Sequence, residues 1–238
     1  MSLRFAPRWY WILIVAAASV LFVRLGFWQW HRGEYRRSEW QEFARGDAPA
    51  IDATASSLAH LPQYTRVRIG GVFDAAHQFL LENISHNGAP GYQVLTVLTL
   101  GDGSHLLADR GWVPFSGYRD KLPDVAFDAA TAPPILTGRL GPAPVAGLAA
   151  GRQPPTLDGT WPRLASFPTI EQMAASYGTP LAPMLLLMDA NSGPGYVRDW
   201  QPPGIPPERN FSYAIQWWSF AVLAIVLLVS LNLKRKNV

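Results

Sequence analysis

Two apolar segments near the ends of the 238-residue chain constrain its fold more than any other feature. The first runs from Trp9 to Trp30 and holds one charge, Arg24, in 22 residues; the second runs from Tyr213 to Leu231 and holds no charge in 19 residues. A helix of ~20 apolar residues crosses the ~30 Å hydrocarbon core of a bilayer. The sequence therefore predicts two transmembrane helices that tether one domain between them.

Basic residues beside these segments predict their orientation, because cytoplasmic flanks carry an excess of Lys and Arg. The flanks at the chain ends contain Arg4, Arg8, Lys234, Arg235 and Lys236. The opposite flank also has basic residues, namely Arg32, Arg36 and Arg37. Long domains translocate largely regardless of charge, so we expect both termini in the cytoplasm and the central domain in the periplasm. No Arg- and Ser-rich transit peptide precedes the first segment, which favours a bacterial inner (plasma) membrane.

A cleavable signal peptide is the alternative for the first segment, with Ala16, Ala17 and Ala18 as the processing site. The apolar stretch continues beyond these alanines through Phe22, however, and aromatic residues bracket it on both sides. We therefore favour an uncleaved anchor.

Charge and cysteine content exclude several classes of function. Residues 34–207 hold 12 Lys and Arg against 16 Asp and Glu, so the central domain is acidic and lacks the basic stripe of a nucleic-acid-binding protein. The absence of cysteine excludes disulfides, thiolate nucleophiles and cysteine-based metal sites.

The central domain has the pattern of a small β-rich fold. Turn residues separate short β-type segments, which are predicted at Tyr64–Phe73, His77–Glu82, Tyr92–Leu100, Ser104–Val113, Ile135–Leu140, Met184–Met188 and Tyr196–Trp200. Gly101-Asp102-Gly103 predicts a hairpin, and Thr169–Tyr177 predicts a short helix that Thr169 caps and Gly178 ends. Residues 34–45 could continue the first transmembrane helix into water.

The predicted fold class is a membrane protein with two transmembrane α-helices flanking an α+β extramembrane domain, built on a curled antiparallel sheet or small barrel. The predicted divisions are an N-terminal anchor at 1–33, the periplasmic domain at 34–207, and a C-terminal anchor with a basic tail at 208–238.

The sequence offers no good catalyst and no metal site. None of the five histidines is paired at a metal-ligand spacing, no serine lies in a nucleophile elbow, and no glycine-rich phosphate loop is present. We therefore predict that the protein is not an enzyme.

Polar and aromatic residues in the apolar segments are the candidate binding residues. Those of the first segment, spaced for one helix face, are Arg24, Trp28, His31 and Arg32. Those of the second are Asn210, Tyr213, Gln216, Trp217 and Phe220. They could be interfacial anchors only. Facing each other, they would form a slot for a flat apolar macrocycle with propionates, because aromatic faces stack on rings and guanidinium groups bind acids.

Several motifs carry a family resemblance. In chain order they are LGFWQWHR (25–32), RVRIGGVFD (66–74), LLEN (80–83), GAPGYQVLTVL (88–98), GDGSHLLADRGWVP (101–114), GYVRDWQP (195–202) and PERNFSYAIQWWSFA (207–221). In order and spacing this set resembles the surfeit locus protein 1 family, across both anchors and most of the domain between them.

The resemblance implies an assembly factor for a haem-copper terminal oxidase, cytochrome c oxidase, that assists insertion of haem A into the catalytic subunit. The implied partners are that subunit, haem A synthase as a further candidate, and the membrane. Two departures stand out: Asn210 replaces a His that many members carry and that is proposed to contact haem, and Ile84 replaces an Arg. Asparagine is a poor haem-iron ligand, so His31 is a candidate substitute.

Other functions stay open at this point. A scaffold could hold the catalytic subunit receptive without touching haem. A membrane-anchored sensor or solute-binding module is the alternative from another class, and a membrane-bound enzyme is a third.

Overall fold

The computed structural model describes residues 3–118, 121–145, 151–157, 159–202 and 204–235, and leaves the side chains of residues 3, 4, 234 and 235 undescribed. Lys236 of the predicted basic tail lies outside these ranges. The helices are α1 (Trp9–Ala44), α2 (Ala55–Leu58), α3 (Ile170–Tyr177) and α4 (Pro207–Asn232). The strands are β1 (Leu3–Phe5), β2 (Ile51–Asp52), β3 (Arg66–His86), β4 (Ala89–Leu100), β5 (His105–Pro114), β6 (Ile135–Gly141), β7 (Arg163–Ala165), β8 (Leu185–Met188) and β9 (Leu233–Arg235).

The chain divides into two compact units. The helical unit comprises Met1–Gln41 and Pro202–Val238, and the sheet unit comprises Glu42–Gln201. The helical unit contains two helices that are long and apolar enough to cross a membrane, and little of either apolar stretch is buried within the protein. Strands β1 and β9 pair antiparallel, so residues 3–5 and 233–235 lie at the same end of the helical unit.

The sheet unit is a closed five-stranded barrel, in the order β3-β4-β5-β8-β6 and back to β3. Most of its pairs are antiparallel, as the sequence predicts, but β5 and β8 run parallel. Strand β3 closes the barrel because its first residues pair with β6 and the remainder pairs with β4. The predicted strands at 64–73 and 77–82 are one continuous strand, which a bulge between Asp74 and Gln78 bends.

Apolar residues pack on both faces of this sheet. One set includes Ile69, Leu98 and Leu136, and another includes Phe79, Leu95 and Leu185 packed with Met173 of α3. A helix cannot fit inside a five-stranded barrel, so the set that contacts α3 lies on the outer face and the first set fills the interior. Because both faces of β4 are covered, that strand is buried almost without interruption from Gly91 to Leu100, and apolar residues occur on both of its faces.

The residues at the two ends of α3 set its boundaries as predicted. Thr169 caps α3 by accepting from the Gln172 amide, and Gly178 ends it at φ 96°. The predicted strand at 196–200 is wrong: this segment forms only a bridge between Val197 and Trp112. The side chain of Arg198 in this segment instead donates to backbone carbonyls of other segments, as described below.

Candidate functional site

The two long helices of the helical unit pack directly against each other through glycines on α1. Phe211 covers Gly33, where an added Cβ would come within 2.7 Å of the ring. A side chain at Gly26 would overlap the indole of Trp218. Residues Ala214 and Ala221 of α4 are buried along the same seam. Small residues allow this close approach, which is the usual way in which helices associate in a bilayer.

Aromatic rings continue the seam on both sides of the glycines. The Trp30 ring centroid lies 4.8 Å from that of Phe211 and 5.8 Å from that of Trp218. The Phe22 ring stacks on Trp217 at 5.8 Å. These contacts fill the space between the helices, so the predicted slot between them is not formed.

The four α1 residues predicted to bind a ligand lie outside this seam. Trp28 is 54% exposed, and the guanidinium carbon of Arg32 lies 5.8 Å from its ring centroid. The His31 side chain is 75% exposed, and its Nδ1 lies 3.3 Å from a carboxylate oxygen of Glu34. Arg24 is exposed as well. These four residues lie outside the seam because the two helices approach most closely where α1 carries glycines, which have no side chain to separate the backbones.

The α4 residues are divided between the seam and the surface. Asn210 is 2% exposed, and its buried Nδ2 has no hydrogen-bond partner. Tyr213 is 41% exposed and Gln216 is exposed. Trp217 is partly buried against Phe22. An amide donor buried without an acceptor is costly, which makes Asn210 the least satisfied of the predicted residues.

Helical periodicity shows which predicted residues share a side of the helix pair. At ~100° per residue, Arg32, Tyr213 and Trp217 project to the side that the Phe22–Trp217 contact marks. Arg24 projects almost directly away from the seam. Trp28 and Gln216 lie ~30° from that direction toward the Phe22–Trp217 side, and His31 lies ~30° from it toward the other side. We call Trp28, Arg32, Tyr213 and Trp217 the aromatic–cationic face. It is an open surface that can stack on a flat apolar group and bind an acid.

A second polar arrangement, which the sequence predictions missed, lies in the sheet unit. Arg110 is almost fully buried on β5, with its guanidinium carbon 3.7 Å from the ring centroid of Phe127. Its Nη1 donates to Gln78 Oε1 at 2.8 Å and to the Val125 carbonyl at 3.3 Å. Burial lowers the pKa of Arg110. The sequence feature that could have indicated this buried polar arrangement is the adjacent Asp-Arg pair inside an otherwise apolar strand.

The neighbouring Asp109 is 1% exposed, and its Oδ1 accepts from Gln93 Nε2 at 2.6 Å and from the Gly111 amide at 3.1 Å. Burial raises the pKa of Asp109 to about 7, although both hydrogen bonds and the charge of Arg198 act in the opposite direction. Desolvation dominates because the carboxylate loses its water shell inside the barrel wall. This carboxyl therefore titrates near neutral pH.

Arg198 joins the two motifs DRGWVP and GYVRDWQP. Its guanidinium donates to the backbone carbonyls of Arg110 at 2.9 Å, Asp189 at 2.7 Å, Ser192 at 3.0 Å and Gly193 at 3.2 Å. Burial lowers the pKa of Arg198, and the nearby charge of Arg110 lowers it further. We call Asp109, Arg110 and Arg198 the buried clamp. It holds the segment before α4 to β5, so these motif residues support the structure.

Within the described ranges, no group of three His, Asp or Glu side chains is arranged to hold a metal ion.

Comparisons with known proteins agree with the motif pattern. The model of the SURF1 family matches residues 16–222, which include most of α1, the whole barrel and residues 207–222 of α4. A comparison with curated proteins found no significant match. The family is associated with cytochrome oxidase assembly. Because the match covers most of the sequence, this chain belongs to the SURF1 family.

Proposed function

We propose that this protein is a membrane-anchored assembly factor that assists insertion of haem A into the catalytic subunit of cytochrome c oxidase. Family membership supports the role in oxidase assembly. The observation that carries the finer proposal is the aromatic–cationic face, where the Arg32 guanidinium lies 5.8 Å from the Trp28 ring on the exposed surface of a long apolar helix.

The residues of this face fit the ring and the acidic groups of haem A. Trp28 and Trp217 offer flat apolar surfaces, and Arg32 offers a charge-assisted hydrogen bond to a propionate. The same residues include no histidine, and Tyr213 is the one member of a type that can ligate haem iron. Asn210 is buried in the seam and is a poor iron ligand. We therefore propose contact through the ring and propionates, without axial ligation by Asn210.

The open geometry favours a role shared with a partner. An exposed face covers one side of a flat ligand, and a helix of the catalytic subunit would cover the other. The protein would then either bind haem transiently or hold the subunit receptive to it. Haem A synthase is a further candidate partner because it produces the group that is inserted.

We infer that the helices cross the bacterial inner membrane with both termini in the cytoplasm and the barrel in the periplasm. The pairing of β1 with β9 supports a common side for both ends. The basic residues beside them support the cytoplasmic side.

The test is complementation of a deletion strain, with membranes assayed by difference spectroscopy for oxidase a-type haem. Trp28→Ala with Arg32→Gln is expected to lower the a-type haem content while the protein still accumulates in membranes. Arg45→Gln, which removes an exposed charge outside the helical unit, is the matched control and should restore normal content. Normal content in the double variant would exclude the face, and normal content in the deletion strain would exclude the function.

Purification from a host that makes haem A distinguishes transient binding from scaffolding. A Soret band that the double variant lacks would establish direct binding. A pigment-free wild-type protein that still co-purifies with the catalytic subunit would establish the scaffold.

A further inference from the structure

A groove lies between α1 and α4 at the end of the helical unit that carries β1 and β9. Its volume is about 520 Å³, within the ~300–1,000 Å³ typical of ligand sites. Its lining is apolar except for the Trp11 indole and Asn232, and consists of Trp11, Val15, Ala224, Leu227, Leu228, Leu231 and Asn232. Ala224 has the smallest side chain among these lining residues.

A cationic ribbon adjoins the polar end of this groove. Strands β1 and β9 pair with Arg4 opposite Lys234 and Leu3 opposite Arg235. The Ala6 amide donates to the carbonyl of Asn232 at 3.1 Å, which joins the ribbon to a residue that lines the groove. Arg8 follows on the exposed surface and donates to the Tyr10 hydroxyl at 2.8 Å. Four basic residues therefore lie within a few residues of the groove.

The parts of the two helices next to this ribbon carry no carboxylate side chain that could neutralise its charge. Residues 1–33 and 209–238 contain no Asp and no Glu. The C-terminus of α4 carries a partial negative charge, but Lys234 and Arg235 follow it directly and offset that charge. The ribbon therefore attracts anions at the level where the apolar groove begins.

We propose that the groove holds an acyl chain of one anionic phospholipid, whose phosphate binds to the ribbon. Apolar walls that end in a basic cluster complement a lipid with a charged headgroup. A partner helix would match the apolar walls but would leave the cations without anions. The proposal concerns the opposite end of the helices from the aromatic–cationic face and does not depend on any role with haem.

The test is native mass spectrometry of the full-length protein released from nanodiscs that contain equal amounts of phosphatidylglycerol and phosphatidylcholine. The wild type is expected to retain one phosphatidylglycerol in preference to phosphatidylcholine. Arg8→Gln with Lys234→Gln should lower this preference by roughly 30-fold, at about fivefold for each charge. Arg45→Gln with Arg152→Gln removes the same charge outside the helical unit and should leave the preference unchanged.

A second pair of variants tests the groove without changing charge. Ala224→Phe fills it and should abolish lipid retention, whereas Val222→Phe adds the same ring on an exposed surface outside the groove and should not. Thermal unfolding of each variant shows whether the protein remains folded. Equal retention of the two lipids by the wild type, or unchanged retention in Ala224→Phe, would overturn the proposal. A co-purified protein in place of lipid would also overturn it.

Discussion

Replacing Asp109 by Asn should make the protein more stable at neutral pH, although it removes a buried charged group. The folded barrel holds the pKa of Asp109 at about 7, against 3.8 for an unperturbed aspartate. Between these values the unfolded chain releases a proton that the folded chain retains. The contribution of the Asp109 carboxyl to the free energy of unfolding is therefore fully present below about pH 4 and is lost as the pH rises to about 7.

The size of the expected stabilisation follows from the difference between the folded and unfolded pKa values of Asp109. At ~1.36 kcal/mol per pKa unit, raising the pKa from 3.8 to about 7 corresponds to a loss on the order of 4 kcal/mol by neutral pH. Asn cannot ionise, and its amide oxygen can still accept from the Gly111 amide. For a protein of this size, ~2–4 °C per kcal/mol gives a difference in Tm on the order of 10 °C.

The assay is thermal unfolding of the full chain in detergent, followed by tryptophan fluorescence from pH 4.5 to pH 8. Asp109→Asn should unfold well above the wild type at pH 8, and the difference should shrink to a few degrees at pH 4.5. Asp199→Asn changes an exposed carboxylate on the same connecting segment and should follow the wild type at every pH. Parallel curves for Asp109→Asn and the wild type would refute the reasoning.

The packing of the two units gives three further predictions. Gly26→Leu should prevent close contact between α1 and α4 and so reduce recovery of folded protein from membranes. Ala16→Leu, which changes an exposed residue of the same helix, should not reduce it. Equal recovery of the two variants would contradict close packing of the helices at Gly26. Arg198→Gln should lower the free energy of unfolding by about 3 kcal/mol because it removes the hydrogen bonds that the guanidinium donates to the carbonyls of Arg110, Asp189, Ser192 and Gly193, while the exposed Arg152→Gln leaves the denaturation midpoint unchanged; a similar midpoint for both would argue against the buried clamp. Thr169→Ala should cost about 1 kcal/mol through loss of the α3 cap, which Thr169→Ser should retain, and denaturation curves that separate the two variants would confirm it.

The candidate site was only partly predictable from the sequence. The residue types were visible because Arg, His and Gln are rare in apolar segments of this length. Their arrangement was not, because the side of α1 that meets α4 depends on which residues let two backbones approach. Gly26 and Gly33 decide this contact. As a result, Trp28 and Arg32 face outward, and Asn210 is buried.

The buried clamp shows the same limit in the barrel. The DRGWVP motif was recognisable, but no local pattern indicates that Arg110 lies between Gln78 and Phe127. These residues come from distant parts of the chain. Closure of the barrel brings them together.

By itself, the sequence determined the two apolar helices, the hairpin at Gly101–Gly103 and the caps of α3. Each of these depends on interactions among neighbouring residues, so composition and spacing are sufficient to reveal them. Only the tertiary structure decided that β3 pairs with β6 and that β5 runs parallel to β8. Those pairings join segments far apart in the chain, and they are selected by how well whole apolar faces pack once the barrel closes.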